Sequence, residues 1–203
     1  MKRNKLIGIS GGHGAGKTTV SNILKAQISD SILLPHDAYF NSFDDMTLEQ
    51  KKQINWCQPS AYDNELFLEH LQALKEGRPI NKPIYSFDQY KRLEAFEQLS
   101  PADKILVEGF LIYALQNPTE IYDELIYLDV PKDERLRRVI QRDMAERGRT
   151  EEFARDQFGR LLPMHYKYIE PTKEFATLII DGMQEPEASA NQINQYLDSR
   201  EKS

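Results

Sequence analysis

Apolar residues along this chain come in two rhythms, and their alternation predicts a sheet with helices on its faces. Short, nearly continuous apolar runs stand at Leu6-Ile7-Gly8-Ile9, Ser31 to Asp37, Lys104-Ile105-Leu106-Val107-Glu108-Gly109, Leu125 to Val130 and Thr177 to Asp181. Runs of that length read as strands buried on both faces, the kind found in parallel sheets. Between them the apolar positions recur every three or four residues, as on one face of a helix. Val20, Ile23 and Leu24 mark a first helix, and Leu66, Phe67, Leu71 and Leu74 a second. Leu136, Val139 and Ile140 mark the core side of a third. Phe153, Phe158, Leu161 and Leu162 mark a fourth, which Pro163 is expected to interrupt, and Ile193 and Leu197 a last one.

Local signals set the boundaries. Thr47-Leu48-Glu49-Gln50 reads as a capping box, Asp63 as the cap of the second helix and Gly77 as its stop. Pro131, followed by Asp133 and Glu134, opens a helix that runs to about Arg147 and ends at Gly148, and Pro186 opens the C-terminal helix. The aromatic and basic stretch from Lys82 to Arg92 reads as a hairpin insertion. Strands alternating with helices predict a doubly wound α/β domain with a parallel sheet.

A length of 203 residues fits one such domain, 1–203, with room for a small insertion. The formal net charge of −6 argues against a broad basic face for a polynucleotide, while permitting a local basic pocket. The single cysteine, Cys57, makes no internal disulfide, and the apolar run after the basic N-terminus is too short for a signal peptide, so a soluble cytoplasmic protein is expected.

Candidate chemistry starts at Gly11-Gly12-His13-Gly14-Ala15-Gly16-Lys17-Thr18, which fits G-x-x-x-x-G-K-[ST] and stands between a strand and a helix, as a phosphate-binding P-loop requires. Its backbone N–H groups, together with Thr19 just beyond, are expected to cradle ATP phosphates at a helix N-terminus. Lys17 would reach the β- and γ-phosphates, and Thr18 would hold Mg²⁺. Asp37 and Glu108 end two predicted strands, which places them at the carboxyl edge that borders ligand crevices. Asp37 is the candidate base for an acceptor hydroxyl, and Glu108 a second carboxylate for Mg²⁺. Arg135, Arg138 and Arg142 form a basic stripe on the third helix, continued by Arg147 and Arg149. Arg142, Arg147 and Arg149 are expected to clamp the transferring phosphate from a lid, and Arg135 and Arg138 to form a solvated, salt-bridged face. Tyr62, Tyr85, Phe87 and Tyr90 offer flat walls for an acceptor. The histidines lack metal-ligand spacing, and His13 is expected to point to solvent. A GTPase would carry N-K-x-D, and the nearest string, Asn81-Lys82-Pro83-Ile84, lacks the aspartate.

In combination these motifs resemble the uridine/cytidine kinase group of P-loop small-molecule kinases. The resemblance runs from the first strand to about Asp181. It is carried by Gly11 to Thr18, Asp37-Ala38-Tyr39-Phe40, Pro59 to Asp63, Pro83-Ile84-Tyr85-Ser86-Phe87, Val107-Glu108-Gly109 and Arg142 to Arg149, in the family's order. It implies a kinase fold with an acceptor-binding region at about 38–98 and a lid at about 142–165. It also implies ATP-dependent phosphorylation of a nucleoside 5′-hydroxyl, with Asp37 as base, Thr18 and Glu108 at Mg²⁺, Tyr85 and Phe87 on the acceptor base, and Tyr39 and Arg92 nearby. The expected partner is a small nucleoside-like acceptor, without polynucleotide or membrane, and a homo-oligomer is admitted. Two positions depart from the family pattern: Cys57 stands where an aspartate holds the ribose hydroxyls, and Tyr90 where a histidine reads the base. The upstream pair Arg137 and Arg138 is shifted by one residue relative to the lid motif. A weaker likeness, in Val107 to Leu111 and Leu162 to Met164, is to nicotinamide riboside kinases, so the acceptor stays open within the kinase class. A non-catalytic ATP-binding protein is the remaining alternative.

Overall fold

A computed structural model describes residues 4–201. Its elements are β1 Lys5–Gly11, α1 Lys17–Gln27, β2 Ser31–Pro35, α2 Leu48–Lys51, α3 Asn64–Lys75, β3 Ile80–Ser86, β4 Lys91–Leu99 and β5 Lys104–Glu108. They continue with α4 Pro118–Ile121, β6 Glu124–Asp129, α5 Lys132–Glu146, α6 Glu151–Met164, β7 Leu178–Asp181 and α7 Pro186–Glu201. The five apolar runs form one parallel sheet in the order β2-β5-β1-β6-β7. Every strand therefore ends at the same edge, where Gly11, Pro35, Glu108 and Asp129 lead into the loops.

Side chains alternate across this sheet and divide the core in two. Leu6, Ile105, Val107, Leu125 and Tyr127 face one side, with Leu34 and with Phe67, Leu71 and Leu74 of α3. Ile7, Ile9, Leu106, Ile126 and Leu128 face the other, against Val20 and Leu24 of α1 and Ile193 and Leu197 of α7. Each fully buried aliphatic side chain is worth roughly 1.5–3 kcal/mol, so the two layers hold the sheet rigid beneath its loops. The expected caps are made: Thr47 and Gln50 bond reciprocally, and the Asp63 side chain accepts from Leu66 N.

Tyr113, buried in the loop after β5, pins the centre of the sheet. Its hydroxyl donates to Gly8 O (2.6 Å) and accepts from Ile126 N (2.8 Å), joining β1 to β6. A Cβ at Gly8 would stand 2.6 Å from the Tyr113 ring, so the ring needs a glycine there.

Three expectations are corrected. The second strand ends at Pro35 rather than Asp37, because the chain turns through a 3-10 segment, His36–Tyr39. Pro163 does not interrupt α6: the helix runs to Met164 and continues as a π-turn, His165–Ile169. The face that α5 buries is Arg135, Val139 and Asp143, while Leu136 and Ile140 are only partly covered. This helix packs its inner side under loops instead of on the sheet, so polar groups line it. The hairpin exists and is longer than expected, β3 and β4 pairing antiparallel from Ile80↔Leu99 to Ser86↔Lys91.

Removing the Tyr113 hydroxyl would leave a carbonyl and an N–H unpaired between central strands. Tyr113→Phe is expected to lower unfolding free energy by about 1–3 kcal/mol in urea denaturation. An unchanged midpoint would mean the hydroxyl does not bridge the strands.

Candidate active site

The turn from β1 into α1 builds a polar socket out of main chain. Gly16, in left-handed backbone (φ 88), caps α1 without any side-chain bond, and the helix's own ladder begins at Val20 N to Gly16 O. The N–H groups of Lys17, Thr18 and Thr19 therefore precede the first helical donor, Val20 N, and lie at the partial positive charge of the helix end. Lys17 folds back over the turn, its Nζ donating to Gly11 O (3.0 Å) and Gly12 O (3.1 Å). Burial lowers its pKa, against the opposing pull of Glu108 and Asp37. Beneath the turn lies Arg135, only 5% exposed. Its Nε donates to Val130 O and its Nη2 pairs with His165 Nε2, both at 3.1 Å. A Cβ on Gly12 would stand 2.5 Å from Arg135 Nη1, so glycine is what lets the guanidinium lie flush under the loop.

Two carboxylates face this socket. Glu108 ends β5, and Thr18 Oγ1 donates to its Oε1 at 3.1 Å. Burial, and then the nearby Asp37 charge, push the Glu108 carboxyl up to about 7. Asp37 sits on the 3-10 turn after β2 and accepts from Tyr62 Oη at 3.2 Å. Its pKa is raised by burial, a rise that Lys17, Tyr62, Arg147 and Arg142 oppose, which suits a proton acceptor. The Tyr62 ring is stacked 4.0 Å from the imidazole of His36, so a buried aromatic pair sets the Asp37 bond. Thr18 and Glu108 supply two hard oxygens of the kind Mg²⁺ takes along with phosphate and water. Among the described residues no group of three or more His, Cys, Asp or Glu side chains could hold a metal.

Three arginines in and just after the last turns of α5 converge on one buried side chain. Asp143 Oδ1 lies 2.9 Å from Arg142 Nη2 and 3.5 Å from Arg147 Nη1, and Oδ2 lies 3.0 Å from Arg149 Nη1. Arg149 also donates to Gln157 Oε1 and, across the cleft, to Tyr90 Oη at 3.2 Å. Arg147 stacks 5.8 Å over the Phe87 ring.

These groups line a cleft of about 830 Å³, within the range of small-molecule sites. Its far half is aromatic: Phe40, Trp56, Tyr85, Phe87 and Tyr90 meet one another in a chain of edge and tilted contacts. Tyr90 reaches this position from a left-handed backbone (φ 50), a conformation aromatic residues seldom adopt, with Lys51 Nζ donating to its carbonyl at 3.3 Å. Cys57 also faces the cleft, its thiol pushed up to about 12 by burial and next by Asp37.

Comparison with known proteins gives the family. Residues 6–189 match the Phosphoribulokinase / Uridine kinase family. The chain belongs to that family. It is 40% identical over 194 residues to a uridine kinase of Borrelia duttonii, covering 95% of this chain and 91% of the relative. A uridine kinase of Lactiplantibacillus plantarum is 36% identical over 195 residues, at the same coverages. Among solved structures, a chain assigned as a fructose transport system kinase from Silicibacter sp. TM1040 superposes with a TM-score of 0.72 at 21% identity, covering 89% of this chain and 91% of that one. That likeness bears on the fold, a P-loop kinase fold. The protein is accordingly a phosphotransferase of the phosphoribulokinase and uridine kinase family.

Most side chains expected at the site do meet in the cleft: His13, Lys17, Thr18, Thr19, Asp37, Tyr85, Phe87, Tyr90, Glu108, Arg142, Arg147 and Arg149 all line it. Tyr39 and Arg92 do not. Tyr39 is buried, its hydroxyl bonded to His70 Nδ1 at 2.7 Å. Arg92 is consumed by the frame, donating to Tyr39 O, Phe40 O and Asp63 Oδ2. Tyr62 stands behind the chamber wall, stacked 4.2 Å from the Phe40 ring with its hydroxyl on Asp37. Arg135, expected on a solvated face, is buried under the turn. Arg138 is ion-paired to Glu134 as expected (2.7 Å), donates to Gly182 O, and also borders the cleft. His13 turns inward, with Arg142 Nη2 3.3 Å from its Nε2, and burial and then Arg142 hold its pKa well below normal. Asp143 and Trp56 went unassigned in the sequence. For Asp143 a signal existed, since 135, 139 and 143 are spaced four apart on one helix face.

Glu108 keeps its proton to a higher pH folded than unfolded, where a carboxyl titrates near 4.5. The Glu108 contribution to stability then falls as pH rises from about 4.5 to about 7 and stays lower above, while the buried His13, His36 and His165, held neutral below the ordinary imidazole range, contribute in the opposite direction. Glu108→Gln, lacking that titration, is expected to be more stable than wild type at pH 8 by about 1–3 kcal/mol, a margin that shrinks as pH falls and is gone by about pH 4, in urea unfolding. A difference independent of pH would contradict the burial of an ionisable Glu108.

Proposed function

We propose that this enzyme transfers the γ-phosphate of ATP to the 5′-hydroxyl of a pyrimidine ribonucleoside, uridine or cytidine. The observation that carries the reading is Asp37, a carboxylate of raised pKa held by Tyr62 at the junction of the phosphate socket and an aromatic chamber. The names of the relatives identical at 36–40% support the acceptor. A pyrimidine ring offers two flat faces, and Phe40, Trp56, Tyr85, Phe87 and Tyr90 supply the matching walls. Residues of about 38–98 would form the acceptor region and those of about 142–165 the lid.

In this reading Asp37 orients the 5′-hydroxyl and takes its proton as the oxygen attacks the γ-phosphorus. The bond from that phosphorus to the β,γ-bridging oxygen breaks, yielding ADP and the nucleoside 5′-monophosphate. Main-chain N–H groups from Gly11 to Thr19 hold the phosphates, and Lys17 leaves the carbonyls of Gly11 and Gly12 to pair with the β- and γ-oxygens. Arg142, Arg147 and Arg149 offset charge on the moving phosphoryl group. Thr18 and Glu108 would hold Mg²⁺, which neutralises phosphate charge when bound. With one cysteine and no internal disulfide, the enzyme is assigned to the cytoplasm. A homo-oligomer is compatible with this reading, which does not depend on one.

ADP release measured with ATP and a panel of uridine, cytidine, nicotinamide riboside, pantothenate and simple sugars tests the acceptor. Uridine or cytidine should give the highest kcat/KM, and a different winner would replace the nucleoside assignment. Asp37→Asn is expected to lower kcat at least about 100-fold with ATP affinity changed less than about threefold, while Lys17→Ala abolishes transfer. Near-normal kcat in Asp37→Asn would remove the base assignment.

A further inference from the structure

We infer that Asp143 is a positioning residue for phosphoryl transfer, gathering Arg142, Arg147 and Arg149 into one cationic group directed at the phosphate in motion. The inference rests on the reading that these arginines meet that phosphate.

Asp143 is wholly buried, at 0% exposure, in the last turn of α5. Neither fact favours a carboxylate. A charge taken out of water needs compensation, and the C-terminal end of a helix carries partial negative charge that repels an anion. Three guanidinium groups make the site tolerable, at 2.9, 3.5 and 3.0 Å from the carboxylate oxygens. Their other contacts are neutral: His13 for Arg142, the Phe87 ring for Arg147, Gln157 and Tyr90 for Arg149. One anion thus draws three cations together and leaves an excess of positive charge facing the cleft.

The main chain does the same work. The N–H groups of Arg147 and Arg149 both donate to Asp143 O, at 3.2 and 3.1 Å, and Gly148 between them turns through left-handed backbone (φ 58). The loop therefore folds back on the residue whose side chain collects its arginines. A salt bridge that merely stabilised a helix end would need one partner, and here mutual repulsion of three cations is accepted. Geometry of this kind is worth most where charge develops on a transferring group, and displacement by about 1 Å can cost on the order of 100-fold in rate.

Two readouts test it on the full-length enzyme: kinetics with MgATP and uridine, and binding of ADP against ADP with aluminium fluoride, a mimic of the transferring phosphoryl. Binding is followed by fluorescence of Trp56, the lone tryptophan, which lines the cleft. Wild type should bind the mimic more tightly than ADP. Asp143→Asn should bind ADP within about threefold of wild type while losing on the order of 100-fold in kcat and in preference for the mimic. Asp143→Glu, with the charge kept and displaced by one methylene, should fall between the two at an unchanged thermal midpoint, and it carries the test if Asp143→Asn does not fold. A kcat and mimic preference within about threefold of wild type in the folded fraction of either variant would overturn the inference, as would a wild type without that preference. Mimic preference in a wild type that leaves uridine untouched would remove the uridine assignment and leave the role of Asp143 standing.

Discussion

Opposite charges gathered at one edge of a parallel sheet, away from bulk water, are the constraint on which this molecule depends. The strands deliver the phosphate turn and Glu108 to that edge directly, and the segment after β2 adds Asp37. No nucleotide is needed to keep these charges compensated, because each has an internal partner: Lys17 on two carbonyls of its own loop, Glu108 on Thr18, Asp37 on Tyr62, and the lid arginines on Asp143. The first three of these partners are ones that a triphosphate, its cation or an acceptor alcohol could displace. For Lys17, Glu108 and Asp37 the arrangement is stable enough to fold and weak enough to exchange, since bonds to neutral groups hold buried charge less firmly than an opposite charge does, whereas Asp143 keeps its arginines by charge.

The acceptor half is built on a different principle. Its walls are aromatic and touch one another, while the polar groups of the same segment serve the frame. Arg92 ties β4 to Tyr39, Phe40 and Asp63, so the hairpin is braced from behind by a group that does not face the cleft. Arg149 on Tyr90 and Arg147 over the Phe87 ring join the end of α5 to the aromatic chamber.

The sheet was legible because each buried strand is a short apolar run bounded by turn residues, and the phosphate turn because its glycines and lysine have a fixed spacing. Caps at Thr47 and Asp63 were legible for the same reason: their partners are three residues away. What could not be read depends on partners distant in sequence. Tyr113 bonds strands more than ten residues away on either side, and Arg92 bonds a segment fifty residues upstream. Arg135 looked like surface because charge on a helix normally faces water, and its burial comes from the phosphate turn over it together with Phe158 and His165, both distant in sequence. Tyr39 and Arg92 were drawn toward the site by their place inside a motif, although a motif fixes neighbours along the chain and not the direction of each side chain.

The central claim is that the phosphate turn and Asp37 face one another across the cleft with an alcohol between them. A crystal structure with Mg²⁺, a non-hydrolysable ATP analogue and uridine measures this most directly. The account predicts Lys17 Nζ withdrawn from Gly11 O and Gly12 O onto the β- and γ-phosphates, with the 5′-hydroxyl about 2.6–3.2 Å from an Asp37 oxygen. A Lys17 still bonded to its own loop, or a uridine whose 5′-oxygen points away from Asp37, would contradict it.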